Sequence, residues 1–143
     1  MVNIHCVNTG QSKAFTEGTT LLEMLSAFAP GLSGKHTVIA AKVNNVVQGL
    51  KYRAFNSRQV EFLDYTSYCG RSVYTSSLCF LLCKAVSDVL SGSRVILRRP
   101  ISKGYYCTIE KADASSVTEA ELERITSRMR EIVDAAIPFR RHE

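Results

Sequence analysis

The sequence predicts an α+β protein built from two small units, and three observations carry that prediction. Period-two apolar alternation opens the chain at Val2 to Val7, and apolar strand segments follow at Val38 to Val43 and Val60 to Leu63. A single short helix pattern, entered through a capping signal, interrupts those strands at Leu21 to Phe28. Beyond residue 72 the pattern becomes helix, strand, strand, helix, with the two strands close together. The predicted division is 1–65 for the first unit, 66–72 for a linker and 73–143 for the second unit.

In the first unit, Val2-Asn3-Ile4-His5-Cys6-Val7 alternates apolar and polar, Asn8-Thr9-Gly10 turns, and Lys13-Ala14-Phe15 returns, which is a hairpin. Thr19 or Thr20 can cap the helix that follows, and Glu23 stands three residues past Thr20, the spacing of a capping box. Leu21, Leu22, Leu25 and Phe28 recur at helical spacing, and Pro30-Gly31 stops the run. Val38 to Val43 is a strand, Asn44-Asn45 a turn, Val46-Val47-Gln48 a short return, and Val60 to Leu63 the last strand. One helix on a small mixed sheet suits a β-grasp arrangement. Such a unit encloses little cavity, so binding is its expected work.

Residues 66–72, Thr-Ser-Tyr-Cys-Gly-Arg-Ser, hold a glycine and few core formers, and read as the linker. Helical periodicity runs from Val73 to Leu90, with Leu78, Leu81, Leu82, Ala85, Val86 and Val89 on one side, until Ser91-Gly92-Ser93 ends it. Strands at Arg94 to Arg98 and Tyr105 to Ile109 are joined by a loop holding Pro100 and Gly104. Thr118 to Glu121 is a second capping box, and Leu122, Ile125, Met129, Ile132, Val133 and Ala136 form the stripe of a helix closed by Pro138. Two strands are few for a stable sheet, and Phe139 to Glu143 follows the helix without a logic of its own. The chain is therefore expected to be cut from a longer polypeptide, and an incomplete second unit is expected to self-associate as a homo-oligomer through its exposed apolar edge.

Of the 143 residues 45% are hydrophobic and 22% charged, an ordinary globular composition that argues against a disordered or fibrous chain. No apolar run reaches the length of a membrane span and the start lacks signal-peptide character, so a cytoplasmic protein without membrane contact is expected. The net charge of +5 divides as +2 over residues 1–65 and +3 over residues 66–143, which permits an RNA or phosphate partner without demanding one. The five cysteines, Cys6, Cys69, Cys79, Cys83 and Cys107, form no C-x-x-C pair, and Cys79 and Cys83 read as small core hydrophobes. No phosphate-cradling P-loop, G-x-G-x-x-G, H-E-x-x-H or G-x-S-x-G occurs. His5, His36 and His142 lie far apart, and Asp64 and Asp88 are isolated, so neither a metal ligand set nor an acid/base pair is indicated. Catalysis by this chain and a cofactor held within it are not expected.

The cluster with most chemical content is Arg94 to Tyr106. Arg94, Arg98, Arg99 and Lys103 fall within ten residues without an acid, and Tyr105 and Tyr106 follow. Arg98, Arg99, Lys103, Tyr105 and Tyr106 are thus the candidate residues for an anion, nucleotide or RNA contact, with cations for phosphate and rings for base stacking. The competing reading is a solvated hairpin whose arginine stems cover apolar surface and guard a sheet edge, with alternation sending one of the two tyrosines into the core.

These residues also carry a resemblance. Phe15-Thr16-Glu17-Gly18-Thr19-Thr20-Leu21-Leu22-Glu23, with Ala41-Lys42-Val43-Asn44 and Val60-Glu61-Phe62-Leu63, resembles the TGS domain, a β-grasp module at the N-terminus of threonyl-tRNA synthetase and in several nucleotide-handling proteins. The helix around Leu81-Leu82 and Ala85-Val86, then Pro100-Ile101-x-x-Gly104-Tyr105-Tyr106, then Thr118-x-x-Glu121-Leu122-x-x-Ile125, resembles the start of the synthetase's editing-type second domain. The editing helix of that family carries an H-x-x-x-H pair, and the aligned positions here are Ser76 and Phe80, neither of which can bind metal or move a proton as histidine does. Tyr74 to Phe80 with Ile101 to Cys107 is instead similar to the N-terminal region of bacterial nucleoside (uridine) kinases. That resemblance implies a C-terminal P-loop kinase domain on the same polypeptide, with ATP and magnesium held there and none of its residues in this chain. The non-catalytic N-terminal region of such a kinase is the leading expectation, and an editing-inactive RNA-binding appendage of a threonyl-tRNA synthetase is the alternative.

Overall fold

The computed structural model describes residues 1–32 and 36–140, and the chain divides into two compact units, Met1–Thr75 and Ser76–Glu143. His142 lies outside the described residues.

The first unit is a mixed five-stranded sheet with one helix on it. Strands β1 (Val2–Cys6), β2 (Gln11–Phe15), β4 (Val38–Val43), β5 (Val46–Gln48) and β7 (Arg58–Asp64) lie in the order β2-β1-β7-β4-β5. β1 and β7 run parallel at the centre and the other neighbours are antiparallel. This is a β-grasp-like arrangement. The alternation in β1 sends Val2, Ile4 and Cys6 inward, where they meet Val60 and Phe62 of β7, Ala41 and Val43 of β4, and Leu21, Met24 and Phe28 of helix α1 (Leu21–Phe28). The capping box forms: the Thr20 N–H donates to Glu23 Oε2 at 2.7 Å, and the Glu23 N–H donates to Thr20 Oγ1 at 3.3 Å. Leu21 and Phe28 of the predicted stripe are buried, but Leu22 is exposed and Met24, outside that stripe, packs into the core with them. Asn44 and Asn45 both take positive φ, 47° and 69°, which matches the twist of the two-residue β4–β5 hairpin. Two short strands escape periodicity, β3 (Thr19–Thr20) and β6 (Arg53–Ala54), since two residues carry no alternation.

The predicted linker 66–72 is mostly helix. α2 spans Tyr68–Val89, five residues earlier than the predicted start at Val73, and passes from one unit into the other. Ser67 sets its entry: the hydroxyl donates to the Asp64 carbonyl and accepts from the Gly70 N–H, each at 3.0 Å. Gly70 marks a close approach rather than a flexible joint, because a Cβ there would lie 1.8 Å from the Asp64 carbonyl oxygen. The turn is held further by Asp64, which accepts from the Thr66 hydroxyl and N–H, and these bonds keep its carboxyl below the ordinary carboxylate range.

In the second unit, Leu81, Ala85 and Val86 of α2 pack with Ile125 and Ile132 of α3 (Glu119–Asp134), joined by Val95 and Ile109 from a hairpin of β8 (Arg94–Ile101) and β9 (Gly104–Glu110). Leu78, Leu122 and Val133, all placed in buried stripes by spacing, are exposed: the stripe is wide enough for more partners than this unit supplies. α3 starts at the predicted capping box, with the Thr118 N–H donating to Glu121 Oε2 at 2.8 Å. It ends at Asp134, four residues before Pro138, and Ala136 follows with φ of 48°. Among the described residues no helix is long and apolar enough to cross a membrane.

Candidate nucleic-acid interface

The candidate residues sit on the β8–β9 hairpin. β-branched residues favour extension here, and the chain reverses at Ser102-Lys103, where Ser102 takes a φ of 51°. The strands are longer than predicted: Pro100 lies inside β8 and Gly104 inside β9, so neither belongs to the connecting loop. The register pairs Arg94 with Glu110, Val95 with Ile109 and Leu97 with Cys107, then slips, so that Arg99 faces Tyr106 and Pro100 faces Tyr105. Arg98 occupies the slip, a bulge that turns the strand and frees its side chain from cross-strand pairing.

The slip sorts the candidates by face. Arg99 and Tyr106 are opposite one another and share a face, while Tyr105 follows the alternation of Cys107 and Ile109. That alternation does not bury it. Tyr105 is 53% and Tyr106 54% exposed, against the expectation that one of them enters the core, because only the base of the hairpin, at Val95 and Ile109, reaches the helices. Arg98, Arg99 and Lys103 are exposed and form no ion pair among the described residues. The structure therefore brings Arg98, Arg99, Tyr105 and Tyr106 onto one protruding ribbon, with Lys103 at its tip. Chemically this is a set of exposed cations beside accessible rings, suited to phosphate oxygens and base faces.

Ion pairs hold the hairpin base and the helices in register. Lys111, just after β9, donates to Glu121 Oε1 at 2.8 Å, and Glu121 also accepts from the Thr118 N–H. The Lys111 bond foremost, then the Thr118 N–H, keeps the Glu121 carboxyl below the ordinary range. Asp88 on α2 lies between Lys84 and Arg128, whose bonds lower its pKa in that order.

Ser76 and Phe80 lie one turn apart on α2 and both are exposed. Phe80 packs on Phe139 with ring centroids 5.4 Å apart, an aromatic contact. Among the described residues no group of three His, Cys, Asp or Glu side chains could hold a metal ion. One polar pocket was not foreseen. It lies in the first unit and is lined by Asn3, His5, Asn44, Ser57, Arg58 and Gln59, residues whose separation along the chain leaves no local signal.

Comparison with known proteins adds a likeness. The chain is similar to threonine–tRNA ligases. It is 30% identical over 134 residues to the enzyme of Desulforamulus reducens, 28% identical to threonine–tRNA ligase 1 of Bacillus subtilis and 27% identical to the enzyme of Prosthecochloris aestuarii. In each case the match takes in 94% of this chain and 20% of the ligase, so the chain spans about a fifth of the length of these relatives. No family model matches. None of these relatives is a kinase, and the comparisons support the synthetase side of the resemblance without supporting the nucleoside-kinase side.

Proposed function

We propose that this chain is the RNA-binding, editing-inactive N-terminal region of a larger threonyl-tRNA-synthetase-like polypeptide. The observation that carries the reading is the β8–β9 ribbon: free Arg98 and Arg99 beside exposed Tyr105 and Tyr106, on a chain similar to threonine–tRNA ligases over nearly its whole length. Arg98, Arg99 and Lys103 contact backbone phosphates, which gives affinity without sequence preference, and Tyr106 stacks on a base next to the phosphate that Arg99 holds. Ser76 and Phe80 supply neither metal ligand nor proton acceptor, so the bound RNA is not deacylated here.

The test is tRNA binding by fluorescence anisotropy across a salt series. Arg98→Ala combined with Arg99→Ala should weaken binding and make the salt slope shallower by about 1.5 to 2, one counterion or slightly less per lost phosphate contact. An unchanged slope would remove the ribbon from the interface. The same protein should release no amino acid from mischarged tRNA above background. A second reading, the N-terminal region of a nucleoside kinase, is favoured by the replacement of both editing histidines. The reading frame that encodes the chain separates the two: synthetase catalytic motifs support the first, and a G-x-x-x-x-G-K-[ST] followed by a kinase domain supports the second.

A further inference from the structure

We propose that two copies of this chain associate through the outer edge of β9, which pairs antiparallel with β9 of the second copy about a two-fold axis and completes a four-stranded sheet in the order β8-β9-β9-β8. A two-stranded hairpin is a marginal sheet, and among the described residues no further strand pairs with β8 or β9. Alternate backbone N–H and C=O groups of each strand therefore point away from the hairpin with no ladder partner. The two edges differ in what they allow. β8 carries the features that oppose strand addition: Arg94, Arg98 and Arg99, the bulge at Arg98, and Pro100, which has no N–H to donate. β9 has no proline, no bulge and no cation, and every residue from Gly104 to Glu110 holds a place in the ladder with β8.

The sequence of β9 also complements itself, which selects a second copy as the occupant. Full overlap of Gly104–Glu110 with its copy centres the axis on Cys107 and sets Tyr106 opposite Thr108, Tyr105 opposite Ile109 and Gly104 opposite Glu110. An axis perpendicular to the sheet keeps every side chain on its own face, and each of these pairs joins residues of one face. Tyr106 with Thr108 and Tyr105 with Ile109 are aromatic against β-branched, a favourable cross-strand pairing. The one charged side chain of β9, Glu110, meets a glycine, so no like charges are opposed within the strand. Pairing of β8 with its own copy would instead gather the arginines of both chains at one seam. The arrangement is closed as well. With the β9 edges joined, only the two β8 edges remain, and their cations and proline stop growth at a dimer. The faces that carry Arg99 and Tyr106 then lie on the same side of one sheet, and Arg98 and Arg99 stay on its open edges.

Sedimentation equilibrium of the 143-residue chain, without RNA and from micromolar to millimolar concentration, tests this. A reversible monomer–dimer equilibrium with no larger species is expected. Tyr106→Lys combined with Thr108→Lys sets lysine against lysine twice across the axis and should raise the dimer Kd at least about tenfold. Tyr106→Lys combined with Thr108→Glu sets lysine against glutamate at the same positions and should recover most of that loss, which an unfolded hairpin could not do. Leu122→Lys combined with Val133→Lys, on the exposed side of α3, should leave the dimer intact. Monomer at every concentration leaves the β9 edge to some other occupant and overturns the proposal. So does assembly beyond a dimer, a wild-type Kd in the double-lysine variant, no recovery in the lysine–glutamate variant, or loss of the dimer in the α3 variant.

Discussion

Gly70 shows how one residue type is decided by a contact that its neighbours in sequence do not reveal. Glycine among serine and tyrosine marks a joint in the chain by composition, yet here it lets the first turn of α2 lie on the carbonyl of Asp64. Gly70→Ala should destabilise the protein by about 1–3 kcal/mol, read from the midpoint of urea unfolding, because the obstructing atom belongs to the backbone and cannot swing aside. Glu121 makes a second residue-scale point. Its carboxyl is held below the ordinary range in the folded protein, so its contribution is complete at neutral pH and is lost as pH falls through the ordinary carboxylate range and below. Glu121→Gln should therefore be less stable than the wild type at about pH 7 and close to it at about pH 2, when the wild-type carboxyl is also protonated. A gap that stays constant with pH would show that the Lys111 pair contributes nothing.

At the scale of elements, capping and periodicity located α1 and α3, but which residues of each stripe are buried depended on what packs against them. The α3 stripe includes Leu122, Ile125, Ile132 and Val133, yet only Ile125 and Ile132 are buried. Ile125→Ala should cost about 2–5 kcal/mol, whereas Leu122→Ala and Val133→Ala should each stay within about 0.5 kcal/mol of wild type in the same unfolding assay. The hairpin illustrates the same limit. Alternation predicts two strands and one buried tyrosine, but β8 and β9 extend past the helices, and beyond Val95 and Ile109 there is nothing for an inward-pointing ring to enter. The bulge at Arg98 follows from the register of the two strands, and no feature of Leu97-Arg98-Arg99 announces it.

For the whole molecule, the amino-acid sequence by itself determined the α+β class, the order of the main elements, both capping boxes, the Asn44-Asn45 turn and the cationic, aromatic segment that became the ribbon. Each of these rests on interactions within a few residues: a cap bonding three positions on, a turn with its own φ requirement, an alternation of period two. The tertiary structure alone decided that α2 begins at Tyr68, that both tyrosines of the ribbon stand exposed, and that Asn3, His5, Asn44 and Gln59 line one open polar pocket. Those outcomes depend on strands β1, β4 and β7 being brought side by side from positions more than thirty residues apart in places, and on where a packed surface stops. Local periodicity records which way a side chain points, but whether anything is there to meet it is settled only when distant segments pack.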